Sequence, residues 1–186
     1  MNTTITSKEA IMKVCRNIVS TKGLPALNMR LVAEECNIAL GTLYNYYSNK
    51  NDLLLATVES IWKDIFHTKH KCDTNFTFSE YVNYIFECIQ NGAKEYPNFF
   101  TAHSISIANS EKNKAKSTMK HYFDHIKSSM LEVLKNDTKI YKNAFSASFT
   151  ESDFVDFVLN NIMLLLVQGK TSCTTLIEII NRVVYK

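Results

Sequence analysis

The stretch A39-L-G-T-L-Y-N-Y-Y-S-N-K-N-D-L-L54 concentrates three tyrosines beside a glycine, a threonine and a lysine. Its spacing predicts a short helix over about Leu40 to Tyr46. Leu43 and Tyr47 lie four residues apart, so they share one face of that helix and point inward. The polar tips of residues 44–46 then point outward. The stretch therefore predicts a segment that packs on one side and contacts something polar on the other.

A longer helix is predicted upstream of this segment. Apolar residues recur at i, i+3, i+4, i+7 and i+8 from Ile11 to Val19, which is the pattern of one buried helical stripe. Thr6 and Glu9 have the T-x-x-E spacing of a capping box, so we expect the helix to begin there. Gly23 follows the stripe and predicts its C-terminal end.

A second short helix is predicted between these two elements. Asn28 is suited to cap a helix over roughly Met29 to Cys36, and Asn37 tolerates the left-handed conformation that a tight turn often needs. Two short helices joined by a tight turn and braced by a third form a helix-turn-helix unit. In that unit the second short helix enters the major groove of DNA with its N-terminal residues first. Lys50, which follows it, is placed to neutralise a phosphate.

The rest of the chain predicts further helices and no sheet. Helical spacing of apolar residues begins again near Asn49, Thr77, Pro97, Lys112, Thr150 and Ser172. The 4 Gly and 2 Pro are too few for an architecture with many tight turns. The predicted fold is all-α with about nine helices: a helix-turn-helix DNA-binding domain over residues 1–48, whose connecting helix runs to about 66, and a helical C-terminal domain over residues 49–186.

The charge distribution favours an anionic partner for the first domain. Residues 1–50 carry 6 basic and 3 acidic side chains, so their net charge is 6 − 3 = +3. Residues 51–186 carry 15 of each, so their net charge is zero. An excess of positive charge confined to one end suits contact with a polyanion.

Two composition features predict a cytoplasmic protein without a membrane segment. The longest apolar run, Ile162 to Val167, is far too short to cross a bilayer, and the first residues lack the apolar core of a signal peptide. The five cysteines are odd in number and widely spaced, as expected of reduced thiols.

The helix from Phe154 to Val167 is apolar on almost every side. Such a helix is buried all round, which in a small domain requires a central position or a partner subunit. With the apolar stripe of the last helix, it suggests a two-fold, four-helix dimer interface. The residues predicted for this interface are Phe154, Phe157, Val158, Ile162, Leu165, Leu176, Ile180 and Val183.

The stretch G-x-P-A-L-N-x-R-L-V-A-E-x-C-N-I-A-L-G-T-L-Y-N-Y-Y-S-N-K-N-D-L-L, residues 23–54, closely resembles the N-terminal signature of the TetR family of transcriptional regulators. The matching positions are Gly41, Thr42, Leu43, Tyr44, Tyr47, Ser48, Lys50, Leu53 and Leu54. The resemblance covers roughly residues 7–66, and further downstream it extends to architecture alone. The chain has Asn28 where the family often has Thr, Asn37 where it often has Gly, and Val19 and Tyr47 where it usually has Phe.

The resemblance implies a homodimer whose two reading helices fit successive major grooves of a palindromic operator, roughly 34–36 Å apart or somewhat further apart with DNA distortion. The residues it implies for DNA contact are Asn28, Arg30, Ala39, Leu40, Gly41, Thr42, Tyr44, Asn45, Tyr46 and Lys50. It also implies an effector-binding and dimerisation role for the C-terminal domain. The aromatic and polar residues expected to line an effector cavity are Trp62, Phe66, Phe86, Tyr96, Phe99, Phe100, His103, Tyr122 and Phe123.

The function expected from the resemblance is a repressor that an apolar or aromatic small molecule releases from its operator. An activator that needs its ligand to bind DNA remains an alternative.

The competing class is a helical-bundle enzyme or metal-binding protein that does not bind DNA. His67, His70 and Cys72 have an H-x-x-H-x-C spacing, and His121 and His125 lie one helical turn apart, so either set could hold a metal. Lysines flank both sets, which favours solvated helix surfaces instead. The chain has no nucleophile–base pattern, no Gly-rich phosphate loop and no E-x-x-H motif. We therefore predict neither an enzyme nor a cofactor.

Overall fold

The computed structural model of the chain describes residues 7–67, 76–97, 99 and 113–185, with side chains for 7–66, 76–97, 99 and 123–185. This described part confirms the all-α prediction, and none of its helices is both long enough and apolar enough to cross a membrane. Its eight α-helices are α1 (Lys8–Lys22), α2 (Met29–Glu35), α3 (Leu40–Tyr46), α4 (Lys50–His67), α5 (Phe78–Glu95), α6 (Asn113–Asn136), α7 (Glu151–Val167) and α8 (Thr174–Val184). The helix predicted to begin at Pro97 falls mostly on residues that the structure does not describe.

The described helices belong to two compact units. The first lies within Met1–His67 and Gly92–Thr118, and the second within Thr68–Asn91 and Met119–Lys186. Helix α5 begins in the second unit and its last residues belong to the first. A domain boundary near residue 48 stays a prediction.

The first unit is built around one apolar core. Residues of α1, α2 and α3 and the first turns of α4 contribute to it. Its buried members are Ile11, Met12, Cys15, Ile18, Leu27, Met29, Val32, Ala33, Leu43, Tyr47 and Leu53. The helical stripe predicted in α1 therefore faces the short helices, as a braced helix-turn-helix requires.

Helix ends follow local capping chemistry, with one correction to the sequence-based expectation. The side chain of Ser7, not Thr6, caps α1 by accepting a hydrogen bond from the Ala10 N–H at 3.1 Å. Thr77 and Glu80 form the predicted capping box, in which the Glu80 carboxylate accepts from the Thr77 N–H at 2.8 Å. Gly23 ends α1 with φ of 80°, as predicted.

The second unit has an aromatic centre and a polar joint. The centroid of the Phe154 ring lies 5.7 Å from that of Phe78 and 5.7 Å from that of Phe145. Beside them, the Asp137 carboxylate accepts hydrogen bonds from the Phe78 N–H at 2.7 Å and from the Tyr185 hydroxyl. This joint ties the start of α5 to the connection after α6 and to the C-terminal end of the chain.

Candidate nucleic-acid interface

The turn between α2 and α3 has a defined backbone geometry. Asn37 adopts φ of 52°, the left-handed conformation expected from its position. The Asn37 N–H donates to the Glu34 carbonyl at 2.9 Å, and the Ile38 N–H donates to the Ala33 carbonyl at 3.0 Å. These bonds satisfy carbonyls at the end of α2 in the way a Schellman-type end does. They hold the start of α3 at a set angle to α2.

Helix α3 has a buried face and an exposed face. Leu43 is fully buried and Tyr47 is 8% exposed, so both predicted inward positions are confirmed. Burial raises the pKa of the Tyr47 hydroxyl, so this ring stays neutral. Tyr44 on the opposite side is 48% exposed, although aromatic rings usually bury most of their surface. The outward face of α3 is thus available to a partner.

Gly41 lies on this outward face, and the chain's own packing does not require a glycine there. A Cβ built at Gly41 would have no heavy atom within 4 Å, and the residue does not have a positive φ. A missing side chain at an open helical position lets an external surface approach the backbone closely.

The residues expected to contact DNA are all accessible. Seven are exposed and three are partly buried. The exposed ones are Asn28, Arg30, Ala39, Gly41, Tyr44, Asn45 and Lys50, and the partly buried ones are Leu40, Thr42 and Tyr46. They lie on α2 with its N-cap, on α3 with its N-cap, and on the first residue of α4, within the first unit.

Asn28 differs from the others because its side chain is already engaged. Its Oδ1 accepts from the Leu31 N–H at 3.0 Å, and its Nδ2 donates to the Ala26 carbonyl at 3.1 Å. The residue therefore caps α2, as predicted, and its side chain sets where the helix begins.

The start of α4 completes this surface. The Asn49 side chain caps the helix by accepting from the Asp52 N–H at 3.0 Å. Lys50 follows at the first helical position and is exposed. An ammonium group at the N-terminal end of a helix adds to the positive end of the helix dipole, an arrangement that favours phosphate.

Four of the residues expected to line an effector cavity lie together in the first unit. The Trp62 ring is stacked on Phe66 with centroids 5.9 Å apart and meets the edge of Phe99 at 6.1 Å. The Tyr96 ring lies 6.3 Å from Phe99. Trp62, Tyr96 and Phe99 are buried, and Phe66 is partly buried.

This aromatic cluster is joined to α1 by polar contacts. The Tyr96 hydroxyl donates to Asp64 Oδ2 at 2.7 Å, and Asp64 Oδ1 lies 3.9 Å from Arg16 Nε. Arg16 also donates to the Ser60 hydroxyl. Ser20, one turn along α1, donates to the Glu95 carbonyl at 2.8 Å. Sequence spacing does not reveal this link, because its members are up to 80 residues apart in the chain.

Two further effector candidates have described side chains. Phe86 is buried and Phe123 is partly buried, and both lie in the second unit. Phe100, His103 and the Tyr122 side chain lie outside the described residues. Of the proposed metal ligands, the side chains of His67, His70, Cys72 and His121 lie outside it too, and His125 is exposed.

The predicted dimer residues divide into two groups in the second unit. Five are buried within the chain itself: Phe154, Val158, Ile162, Leu176 and Ile180. Phe157 is 49% exposed, and Leu165 and Val183 are partly exposed. Sequence reasoning missed three exposed apolar residues nearby: Leu164, Val167 and Ile179. The signal was present, because Leu164 and Val167 follow Phe157 at intervals of seven and ten residues on the same helical face.

Comparison with known proteins identifies the N-terminal fold. Residues 11–57 match the family model described as "Bacterial regulatory proteins, tetR family". No curated protein sequence matches the chain.

Solved structures share the fold at low sequence identity. A TetR-family transcriptional regulator from Marinobacter aquaeolei VT8 is 16% identical with a TM-score of 0.62, over 96% of this chain and 88% of that one. BioQ from Mycobacterium smegmatis is 15% identical with a TM-score of 0.60, over 89% and 81%. A TetR family protein from Vibrio parahaemolyticus is 13% identical with a TM-score of 0.58, over 97% and 100%. With the family model matched on the helix-turn-helix itself, residues 11–57 form a DNA-binding domain of the tetR family type, and the described helices share the fold of the TetR-family regulators named above.

Proposed function

We propose that the protein is a homodimeric repressor that binds a palindromic operator and leaves it when a small molecule binds. In this proposal α3 reads the major groove, and the ten accessible residues described above contact bases and phosphates. The observation that carries the proposal is the contact between the aromatic cluster of Trp62, Phe66, Tyr96 and Phe99 and the helix α1 that braces the reading head. A repressor of this kind acts in the cytoplasm, where it reaches its operator.

The release step follows from the polar link. The Tyr96 hydroxyl donates to the Asp64 carboxylate, and Arg16 of α1 faces the same carboxylate. A ligand that moves Tyr96, directly or through the neighbouring Phe99 ring, therefore changes this hydrogen bond. Helix α1 contributes Ile11, Cys15 and Ile18 to the core against which α2 and α3 pack. A ligand shifts the equilibrium only by its difference in affinity between the bound and released states. In this proposal the two states differ in whether the Tyr96–Asp64–Arg16 link is intact, and the ligand favours the state in which it is broken.

The dimer in this proposal is formed by the exposed apolar face of α7 and α8. Phe157, Leu164 and Val167 form one stripe, with Leu164 53% and Val167 75% exposed. Ile179 adds a 43% exposed residue on α8. Exposed apolar residues contiguous along a helix mark contact surfaces, whereas isolated ones need no explanation. The five buried residues would support this face from behind rather than contact the partner.

The first experiment is a pull-down of genome fragments with the purified chain at moderate salt, followed by sequencing. Enrichment of one short palindrome is expected, and the neighbouring genes would nominate effectors to test. Enrichment no different from a salt-sensitive background would contradict specific reading by α3.

A double variant, Tyr44→Ala with Lys50→Ala, tests the reading head directly on the enriched site. Both side chains are exposed, so the fold should be retained while affinity falls by on the order of tenfold or more. Loss of one phosphate contact per protomer should also reduce the log–log salt slope by about 0.9 per contact. Lys170→Ala in the second unit is the control. Binding by the double variant at parental affinity would show that α3 does not read this DNA.

A further inference from the structure

A cleft of about 550 Å³ lies between α5 and α8 in the second unit. Its volume falls in the range of small-molecule sites, roughly 300–1,000 Å³. The residues that line it are Phe76, Ser79, Glu80, Asn83, Tyr84, Glu87, Thr174, Ile177 and Glu178. None of the nine residues expected to line an effector cavity is among them.

One wall of the cleft is aromatic. The rings of Phe76 and Tyr84 are stacked, with centroids 5.9 Å apart and planes 21° apart. Tyr81 extends this group behind the wall, with its centroid 6.1 Å from that of Tyr84. Ring faces carry negative electrostatic potential, so they attract a cation placed within about 6 Å. They also offer a flat apolar surface to a flat ligand.

The charged side chains that line the cleft are all acidic. Glu80, Glu87 and Glu178 contribute three carboxylates, and the nine lining residues include no Lys, Arg or His. Arg182 lies 3.7 Å from Glu178, but that pair is exposed and worth little in water. An anion placed here would be repelled by all three carboxylates.

The amide of Asn83 is held in one orientation between the two helices. Its Oδ1 accepts from the Cys173 thiol at 3.5 Å, and its Nδ2 donates to Glu87 Oε1 at 2.7 Å. The Glu87 carboxylate is thereby positioned before any ligand arrives, which reduces the ordering cost of binding.

A bare metal ion does not suit this arrangement. Within the described side chains, no three acidic, His or Cys groups converge where a metal ion could be held. The carboxylates are instead distributed along a cleft whose remaining wall is aromatic. That combination suits a larger cation whose charge is carried on an organic framework.

We infer that the α5–α8 cleft binds an organic cation with a flat aromatic or apolar part. The apolar part lies against Phe76 and Tyr84, and the positive charge faces Glu87 and Glu178. This inference does not rest on the proposed repressor function, since it concerns direct binding and different residues.

The test uses two probes of the same shape and opposite charge, tetraphenylphosphonium and tetraphenylborate, in equilibrium dialysis against the full chain. The cation is expected to bind saturably and on the order of tenfold more tightly than the anion. Its affinity should fall as salt rises, because exposed charge pairs are screened.

Three variants assign the binding to this cleft. Glu87→Gln with Glu178→Gln keeps the side-chain shapes, and it should weaken cation binding on the order of tenfold. Tyr84→Leu should weaken it through loss of the ring face. Glu132→Gln, an exposed glutamate on α6, is the matched control and should bind as the parent does.

Three results would overturn the inference: no saturable binding of the cation, equal binding of both probes, or parental binding by the double glutamine variant. Binding of the unliganded double variant to operator DNA should be unchanged. A failure of the cleft assignment is therefore distinguishable from a failure of the repressor proposal.

Discussion

At the scale of single residues, two positions in α3 show how different demands act on adjacent side chains. Leu43 is fully buried because it closes the core against α1 and α2. Tyr44 is 48% exposed, and nothing in the chain's own packing requires a large ring there. Stability therefore accounts for Leu43, while in the proposed function contact with DNA accounts for Tyr44.

Gly41 separates stability from function in the same helix. We expect Gly41→Ala to fold normally and to gain up to about 1 kcal/mol of unfolding free energy, because alanine favours a helix and the added Cβ meets open space. We expect its DNA affinity to fall, since the added methyl group stands on the reading face. Denaturant unfolding and fluorescence anisotropy measure the two effects. The larger variant Gly41→Leu is the stricter test. If it binds DNA as tightly as the parent, the DNA does not approach the backbone closely at position 41.

Cys15 makes stability dependent on pH. Burial raises the pKa of its thiol from 9.0 to about 11. Between these values the unfolded chain loses the proton while the folded chain keeps it, so deprotonation favours unfolding. The contribution is fully present below pH 9 and is lost as pH rises through 11, at a cost of about 2–3 kcal/mol.

The corresponding measurement is the free energy of unfolding at about pH 8, 9, 10 and 11 for the parent and for Cys15→Ala. The variant starts less stable, because it loses a buried sulfur, and its profile should be flatter. Tyr47 and Tyr96 contribute a decline of the same sign, since burial raises the pKa of both hydroxyls. Parallel profiles for parent and variant would rule out a contribution from Cys15.

At the scale of helices, the close approach of α5 to α4 depends on Gly92. A Cβ at Gly92 would lie 2.5 Å from Cγ1 and 2.8 Å from Cδ1 of Ile65, and 3.3 Å from its Cγ2. Ile65 is buried, so neither branch of its side chain can move aside without disturbing neighbours. The same helix end carries the residues that bond to α1 and α4, so this packing sets their position.

We expect Gly92→Ala to lower the unfolding free energy by about 1–3 kcal/mol, despite the better helix propensity of alanine. Thermal or denaturant unfolding measures the loss. Ile65→Ala creates space at the same contact, so the double variant should be less destabilised than the sum of the two single variants. Simple additivity would mean that the two residues do not constrain each other.

At the scale of the whole molecule, the proposed function makes DNA binding depend on dimerisation through the apolar face of α7 and α8. A regulator that reads a palindrome needs two reading heads related by a two-fold axis. Phe157 and Leu164 are about half exposed, which is costly for a chain that remains alone in water. Dimerisation through this face would bury both.

We expect Phe157→Lys with Leu164→Glu to yield a folded monomer. Sedimentation equilibrium measures the mass, and circular dichroism confirms the helical content. Affinity for a full palindrome should approach that for a half-site, because the second reading head is lost. Asn143→Glu, at an exposed polar position between α6 and α7, is the control. A variant that remains dimeric would place the interface elsewhere.

Local rules predicted most of the fold correctly. The cap at Asn28, the helix end at Gly23 and the left-handed turn at Asn37 could be predicted because such features depend on a few neighbouring residues. The expectation for Thr6 was wrong because Ser7 is an equally good cap one residue later, and only the helix geometry selects between them. Phe154 was expected at a partner surface but is buried by Phe78 and Phe145 of its own chain.

The all-α fold, the helix-turn-helix and the outward residues of α3 could be predicted from the sequence, because periodicity, capping and turn chemistry act over a few residues. Helix packing, by contrast, joins Tyr96, Asp64 and Arg16 in one link, requires a small residue at position 92, and places three glutamates in a cleft with two stacked rings. Those features join residues that are distant in the chain. They depend on how helices pack, which no local pattern encodes.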